Sequence, residues 1–158
     1  MTNRLRMQET DVDPVDLRIL RRLAEDARVS VAELARFVGM SAPSVAERLR
    51  KLQDNGTIQS YTVRIDPAAL GLPVSAWLRI RPVPGQLATV AGIIAEINEI
   101  TSCDRVTGED CFIAKVSVRS MTDLERVIDR IIPYAMTNTA IVQSSPVRER
   151  LPLAHRDS

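Results

Sequence analysis

Aromatic residues and cysteine are scarce in this 158-residue sequence. Only 3% of the residues are aromatic while 45% are hydrophobic, so we expect cores built from Leu, Ile, Val and Ala. Two cysteines, Cys103 and Cys111, are too few for a disulfide framework. Together with the single histidine, His155, they show no metal-ligand spacing, and we therefore expect no metal site.

Long hydrophobic runs are also lacking. No stretch of about 18 apolar residues occurs, so we expect no transmembrane helix. The first residues, MTNRLRMQETDVDP, contain no apolar segment of the kind found in a secretory signal. We therefore expect a cytoplasmic protein without a membrane partner. No Gly-rich phosphate loop and no nucleophile–base pair stands out, so we expect neither an enzyme nor a cofactor.

Charge is nearly balanced over the whole sequence, with a formal net charge of +1, but it is uneven along the chain. Residues 17–64 contain nine basic and five acidic side chains, a local excess of four positive charges. This excess is a modest signature of phosphate binding. The alternative is an ordinary solvated surface in a protein that favours arginine, because only two residues of the sequence are lysine.

Residues 31–52 have the pattern of two short helices that meet at a sharp turn. Gly39 suits a helix C-terminus, Ser41 suits the N-cap of the next helix, and Pro43 fits its first turn. This spacing predicts a helix-turn-helix, whose second helix enters the DNA major groove. The predicted apolar stripes are Leu34, Ala35 and Val38 on the first helix and Val45, Leu49 and Leu52 on the second.

A further helix is predicted before this motif and a strand after it. Asp13 and Pro14 are typical of a helix start, and Asn55-Gly56 ends the motif. The alternating residues Thr57–Ile65 predict a strand, either a wing or a connecting strand. The buried stripe expected for the first helix is Leu17, Leu20, Leu23 and Ala24. We therefore divide the N-terminal half into a disordered tail at 1–12, a helix-turn-helix domain at 13–65 and a linker at 66–73.

Residues 74–152 have the β-α-β-β-α-β pattern of a ferredoxin-like domain, which makes the whole chain an α+β protein. Its strands are predicted at 74–80, 101–107, 112–118 and 139–143, with a continuation of the last strand to Leu151 left open, and its helices at 87–97 and 124–132. Both helices of such a fold cover one sheet face. The other face is expected to carry Trp77, Ile113 and Ile141, either as isolated surface residues or as a surface covered in a homodimer.

Several short motifs resemble those of the Lrp/AsnC (feast/famine) family of transcription regulators. The resemblance covers residues 13–151. The motifs are DPVDLRIL at 13–20, DARVS at 26–30, GMS at 39–41, RLRKL at 48–52, GTIQSY at 56–61, DPAALG at 66–71, VTG at 106–108 and the pair Thr137 and Thr139. The resemblance implies a helix-turn-helix reader of promoter DNA. It also implies a C-terminal RAM domain that forms homodimers, tetramers or octamers and binds amino acids between its copies.

DNA contacts are expected from the outer face of the second helix of the motif. Ser41, Ser44 and Glu47 lie near its N-terminus, where recognition helices meet base edges. Arg48 is expected to reach a guanine or a phosphate. The predicted DNA-binding set is Arg36, Ser41, Pro43, Ser44, Glu47, Arg48, Arg50 and Lys51, in which Arg36, Arg50 and Lys51 meet phosphate.

The effector site implied by the resemblance lies at the turn after the second strand. Where family members often have Gly-Asp-Tyr-Asp, this chain has Gly108, Glu109, Asp110 and Cys111, and a neutral thiol cannot pair with an ammonium group. The predicted effector-binding residues are Thr107, Gly108, Glu109, Asp110, Cys111, Thr137 and Thr139. The alternatives are an ordinary hairpin in a module that only oligomerises or binds metabolites, with effector-independent or non-specific DNA binding, and a redox role for Cys111, for which inert packing is preferred.

Overall fold

The computed structural model describes residues 12–147 and 150–153, so the predicted tail at 1–12 lies outside the described residues except for Val12. The described chain divides into two compact units: residues 12–63 together with 150–153 form the N-terminal unit, and residues 64–147 form the C-terminal unit. Each unit has its own hydrophobic core.

Three helices form the N-terminal unit. They are α1 at Pro14–Glu25, α2 at Val31–Val38 and α3 at Ala42–Asp54. The helix starts predicted at Asp13 and Ser41 are confirmed, and Ser30 caps α2. Each of the three side chains accepts a hydrogen bond from a backbone N–H of the following first turn. Local capping signals therefore determine where each helix begins.

A small aliphatic cluster packs the three helices together. The predicted stripes of α2 and α3 are confirmed, apart from Leu49, which is half-buried. The predicted stripe of α1 is largely wrong, because Ile19 is its fully buried apolar residue while Ala24 is exposed. The cluster is Ile19, Leu34, Ala35, Val38 and Val45, with Val15 and Leu23 partly buried against it. The face of α1 that packs is thus the one with the spacing 15, 19 and 23.

The strand predicted at Thr57–Ile65 is absent from the structure. Residues 59–66 have no regular secondary structure and form no ladder with a strand of the described chain. The side chains of Tyr61, Val63 and Ile65 are exposed. Alternating β-branched residues favour a pleated conformation, but a strand also needs a neighbour to pair with, and the described chain offers none. A short 3₁₀ helix at Pro67–Leu70 follows.

The C-terminal unit is a four-stranded antiparallel sheet with two helices. The elements are β1 at Val74–Pro82, α4 at Leu87–Ala95, β2 at Ile100–Arg105, β3 at Phe112–Val118, α5 at Met121–Ile131 and β4 at Ala135–Ile141. The strand order is β2-β3-β1-β4, which confirms the ferredoxin-like prediction. The core lies between the helices and one sheet face, where Leu78, Ile80, Val90, Leu124 and Ile131 are fully buried.

Two predictions about β4 are wrong. The strand begins four residues earlier than Thr139, because Ala135 already pairs with Pro82 at the end of β1, and it ends at Ile141 without a continuation to Leu151. Ile141 lies opposite Ala76, a buried residue of the helix-covered face, so it does not share a face with Trp77. The open face instead carries Met136, opposite Arg81.

Candidate DNA-binding and effector sites

The turn between α2 and α3 has the geometry that a helix-turn-helix needs. Gly39 has φ +75°, a left-handed conformation that costs glycine little, and it ends α2. Ser41 then caps α3: its Oγ accepts a hydrogen bond from the backbone N–H of Ser44 at 3.3 Å. The two hydroxyl oxygens lie 2.7 Å apart. This short turn presents the N-terminal half of α3 at the surface.

The outer face of α3 is exposed and polar. Ser41, Pro43, Glu47, Arg50 and Lys51 are exposed, and Ser44 is half-buried. Val45 and Leu52 on the opposite side are almost completely buried. This face therefore combines hydroxyl, carboxylate and cationic groups within two turns of one helix, which is the arrangement that base-edge and phosphate contacts require.

Among the described residues, the partners of Arg50 all belong to its own helix. Its Nε donates to Oε2 of Glu47 at 3.1 Å, and its Nη1 lies 3.5 Å from Oδ2 of Asp54. The guanidinium lowers the pKa of Glu47 below its ordinary value. Because both partners lie on the exposed surface of α3, Arg50 can exchange them for a phosphate without breaking a contact between helices.

Arg48 has a different environment and connects α3 to α1. Its Nη1 donates to Oδ2 of Asp13 and, at 2.9 Å, to Oδ1 of Asp16. The backbone N–H of Asp16 and the Arg48 guanidinium hold the pKa of Asp13 below its usual value, and the two carboxylates raise the pKa of Arg48. The side chain that was predicted to reach DNA is therefore engaged with two carboxylates.

An open groove of about 570 Å³ lies between the start of α1 and α3. Three acidic side chains, Asp13, Asp16 and Glu47, line it together with Arg48 and Lys51. Its titratable side chains thus carry one more negative than positive charge. Such a lining does not favour phosphate inside the groove.

The hairpin turn between β2 and β3 carries the predicted effector residues 107–111. The backbone N–H of Val106 donates to the carbonyl of Cys111 at 2.9 Å, and Gly108 adopts φ +112° inside the loop. Two arginines of β1 meet its acidic residues. Arg81 Nη2 lies 2.6 Å from Oε2 of Glu109 and 3.9 Å from Oδ1 of Asp110, and Arg79 Nε lies 4.0 Å from Oδ2 of Asp110.

Thr137 and Thr139 lie at the opposite edge of the sheet from this turn. They pair with Ile80 and Leu78, whose side chains face the helices, and β1 and β3 separate β4 from β2. The three strand spacings between β4 and β2 correspond to roughly 14 Å. A single chain therefore does not bring the two groups of predicted effector residues together.

The cysteines show no sign of acting as a redox pair. Cys103 pairs across the hairpin with Ala114, whereas Cys111 pairs with Val106 at the turn, and both thiols are free. Burial, and secondarily Asp104, raises the pKa of Cys103, which makes its thiolate less accessible. Within residues 12–147 and 150–153, no three His, Cys, Asp or Glu residues are arranged to hold a metal ion. None of the described helices is long and apolar enough to span a membrane.

Two family profiles match the chain, one over each unit. The AsnC-type helix-turn-helix domain matches residues 12–53, and the Lrp/AsnC ligand-binding domain matches residues 75–152. The HTH-type transcriptional regulator LrpC of Bacillus subtilis is 35% identical over 133 residues, which cover 84% of this chain and 92% of LrpC. The chain belongs to the Lrp/AsnC family. It is a helix-turn-helix transcription regulator.

Solved structures of other Lrp/AsnC proteins have the same architecture. The structure of Bacillus subtilis LrpC superposes with a TM-score of 0.84 at 33% identity and covers 89% of this chain and 100% of that one. A feast or famine regulatory protein from Mycobacterium tuberculosis, complexed with L-methionine, gives a TM-score of 0.83 at 32% identity, with 90% and 99% covered. These matches confirm the α+β prediction with a helix-turn-helix and a ferredoxin-like domain.

Four side chains that contact the predicted site residues were not predicted from the sequence. Asp13 was interpreted only as a helix-start residue, and no contact was predicted for Asp16, Arg79 or Arg81. A signal existed for the first pair, because Arg48 lies at the edge of the buried stripe of α3, where a long side chain can reach a neighbouring helix. The second pair depends on strand register, which the sequence alone does not specify.

Proposed function

We propose that this Lrp/AsnC regulator binds promoter DNA sequence-specifically in the cytoplasm, as a homodimer that assembles into tetramers or octamers. We further propose that an amino acid or a related metabolite, bound between C-terminal domains, modulates it. The observation that supports DNA reading most directly is the capped, exposed N-terminal half of α3. A helix end of this kind suits the major groove.

We assign separate roles to the residues of this face. Ser41, Ser44 and Glu47 lie at the helix start and are assigned to base edges or nearby phosphates, since hydroxyls pair with several bases and a carboxylate accepts from cytosine N4. Pro43 is assigned to surface contact at the same end. Arg50 and Lys51, one turn further on, and Arg36 on α2 are assigned to phosphate.

The open face of the sheet supports the proposed dimer. Trp77, 43% exposed, and Met136, 67% exposed, lie on this face with the half-buried Ile113. A sheet face that exposes several large apolar side chains is stabilised when a partner covers it. A second copy of the chain is the proposed partner, because one dimer then delivers two α3 helices to two half-sites.

Charged pairs at the β2–β3 turn support an amino-acid effector. A zwitterion needs an anionic group for its ammonium and a cationic group for its carboxylate, and Glu109, Asp110, Arg79 and Arg81 supply both. The Mycobacterium tuberculosis relative named above was solved with L-methionine. Thr137 and Thr139 would join such a site only from a second copy of the chain, because they lie at the other sheet edge.

Footprinting on the DNA upstream of the protein's own gene tests DNA reading. At physiological salt we expect repeated protections spaced by a helical turn, which persist when non-specific competitor DNA is added. Protection that disappears with competitor contradicts the proposal. The matched control is the same duplex with its protected segments scrambled, which keeps length and composition and removes only the sequence that α3 is proposed to read.

A thermal-shift screen against the amino acids tests the effector. A ligand that binds the folded protein raises its apparent stability by RT ln(1 + [L]/Kd), so a millimolar ligand with a micromolar Kd gives about 4 kcal/mol. Two observations favour a second candidate, effector-independent DNA binding: Cys111 replaces the expected acid, and Glu109 already pairs with Arg81. No shift at millimolar ligand, in protein that still gives the footprint, supports that candidate.

A further inference from the structure

We propose that Arg48 is a positioning residue that orients the DNA-reading helix α3 through Asp13 and Asp16, and that it makes no contact with DNA. The proposal rests on the DNA-reading role of α3 proposed above. It replaces the expectation that Arg48 binds a guanine or a phosphate.

Each carboxylate oxygen of Asp13 and Asp16 accepts a hydrogen bond. Asp13 Oδ1 accepts from the backbone N–H of Asp16 at 2.8 Å, and Asp16 Oδ2 accepts from the backbone N–H of Asp13 at 3.2 Å. The remaining oxygens, Asp13 Oδ2 and Asp16 Oδ1, both accept from Nη1 of Arg48. The two backbone-to-carboxylate hydrogen bonds form a capping box at the start of α1. The Arg48 guanidinium thus binds the two carboxylate oxygens that the capping box does not use. The capping box and Arg48 therefore form one hydrogen-bonded network.

The side chains of Arg48 and Asp16 are both more buried than that of Arg50. The Asp16 side chain is only 7% exposed and that of Arg48 29%, whereas that of Arg50 is 65% exposed. If Arg48 turned toward DNA, a nearly buried carboxylate would lose its cationic partner, which is strongly unfavourable. Arg50 pays no such cost, because Glu47 and Asp54 are both exposed. The two arginines of α3 therefore have different roles.

The position of Arg48 on α3 allows its ion pairs to orient that helix. Apolar packing of Ile19 against the cluster holds α1 and α3 near each other, but packing of this kind is not directional. A hydrogen-bonded ion pair is directional and links residues 32 and 35 positions apart in the sequence. Ser44 lies four residues before Arg48, on the same side of the helix, so fixing Arg48 also fixes the direction of Ser44.

The experiment measures the ratio of specific to non-specific DNA affinity, together with the salt dependence of the specific affinity. Arg48→Gln is compared with the double variant Asp13→Asn/Asp16→Asn, in which Arg48 is present without its partners. Asparagine is also a good N-cap residue, so the double variant keeps helix capping. Arg50→Ala on the same helix is the matched comparison for a phosphate contact. Circular dichroism at the assay temperature establishes that each variant is folded.

The proposal predicts that Arg48→Gln and the double variant each lower the specificity ratio by about tenfold, the effect of roughly one mismatched base pair. It also predicts an unchanged salt slope for Arg48→Gln. A base contact by Arg48 predicts that the double variant raises the ratio, because the arginine is released. A phosphate contact predicts a salt slope lowered in Arg48→Gln by about 0.9 for each engaged α3 helix, or about 1.8 in a dimer with both helices engaged. Either result overturns the proposal.

Two further outcomes are distinguishable. If both variants are less stable but keep the full specificity ratio while folded, Arg48 is merely structural and the positioning role is refuted. If the wild-type protein itself shows no specific binding, the proposed function fails. Arg48→Lys adds a separate criterion. Lysine keeps the positive charge without the planar guanidinium, so its specificity ratio is expected to lie between those of Arg48→Gln and the wild type.

Discussion

Replacing Arg50 by alanine removes a proposed phosphate contact while leaving the fold intact. The side chain is 65% exposed and its partners, Glu47 and Asp54, belong to the same helix. Exposed pairs of this kind contribute about 0–1 kcal/mol to stability, so Arg50→Ala is expected to unfold at nearly the wild-type temperature. Any large change in DNA binding then reports on the interface itself.

The magnitude follows from counterion release. Each neutralised phosphate contributes about 0.9 to the slope of log K against log salt, so a dimer with both α3 helices engaged loses about 1.8 in Arg50→Ala. Between 50 and 200 mM salt, the affinity advantage of the wild type over the variant is expected to shrink by about 12-fold. If only one helix of the dimer touches DNA, the shrinkage is about 3.5-fold.

Fluorescence anisotropy titrations of a labelled duplex at four or more salt concentrations give the slopes directly. Arg126→Ala on α5 is the matched control, because Arg126 is 74% exposed and pairs with Asp123 three residues away at 2.8 Å, much as Arg50 pairs with Glu47. The control is expected to keep the wild-type slope. An Arg50→Ala slope equal to that of the wild type would show that Arg50 does not contact phosphate.

Three further variants test separate parts of the account. Ser41→Ala removes the N-cap of α3 and is expected to cost about 1 kcal/mol of unfolding free energy, measured by denaturant titration; no loss would mean that the cap is not needed. Trp77→Glu places a charge on the open sheet face and is expected to shift the dimer toward monomer in sedimentation; an unchanged mass would contradict the proposed interface. The pKa of Asp13 lies below its ordinary 3.8, so its stabilising effect is complete above pH 3.8 and is lost as pH falls through the lower folded value. Asp13→Asn is therefore expected to reduce the dependence of the unfolding free energy on pH in that range. An unaltered acid transition would show that this carboxylate is not a source of the pH dependence.

The helix-turn-helix was predictable because its signals are local. Ser30, Gly39 and Ser41 each act within four residues of their own positions, so capping and periodicity suffice to place α2 and α3. The partners of Arg48 lie 32 and 35 residues away, and no periodicity reports such a contact. The exposed surface of α3 was thus predictable, while the groups that hold it in place were not.

Strands were harder to predict than helices for a physical reason. The segment 57–65 has the composition of a strand, but the described chain has no neighbouring strand that pairs with it. Composition alone therefore gave a wrong prediction. For β4 the pairing with β1 extends the strand back to Ala135 and sets Ile141 opposite Ala76. Register and pairing are properties of two segments together, which is also why the contacts of Arg79 and Arg81 with the turn were missed.

The exposed N-terminal half of α3 is proposed above to read DNA sequence. The most direct test is selection of preferred sites from random duplexes by the wild type and by Glu47→Gln, followed by comparison of the two base-preference profiles. Glu47 lies on the exposed face of α3, so the account predicts that the variant changes its preference at one or two positions of each half-site and keeps the others. Identical profiles for Glu47→Gln and the wild type, or no enriched sequence for either protein, would contradict it.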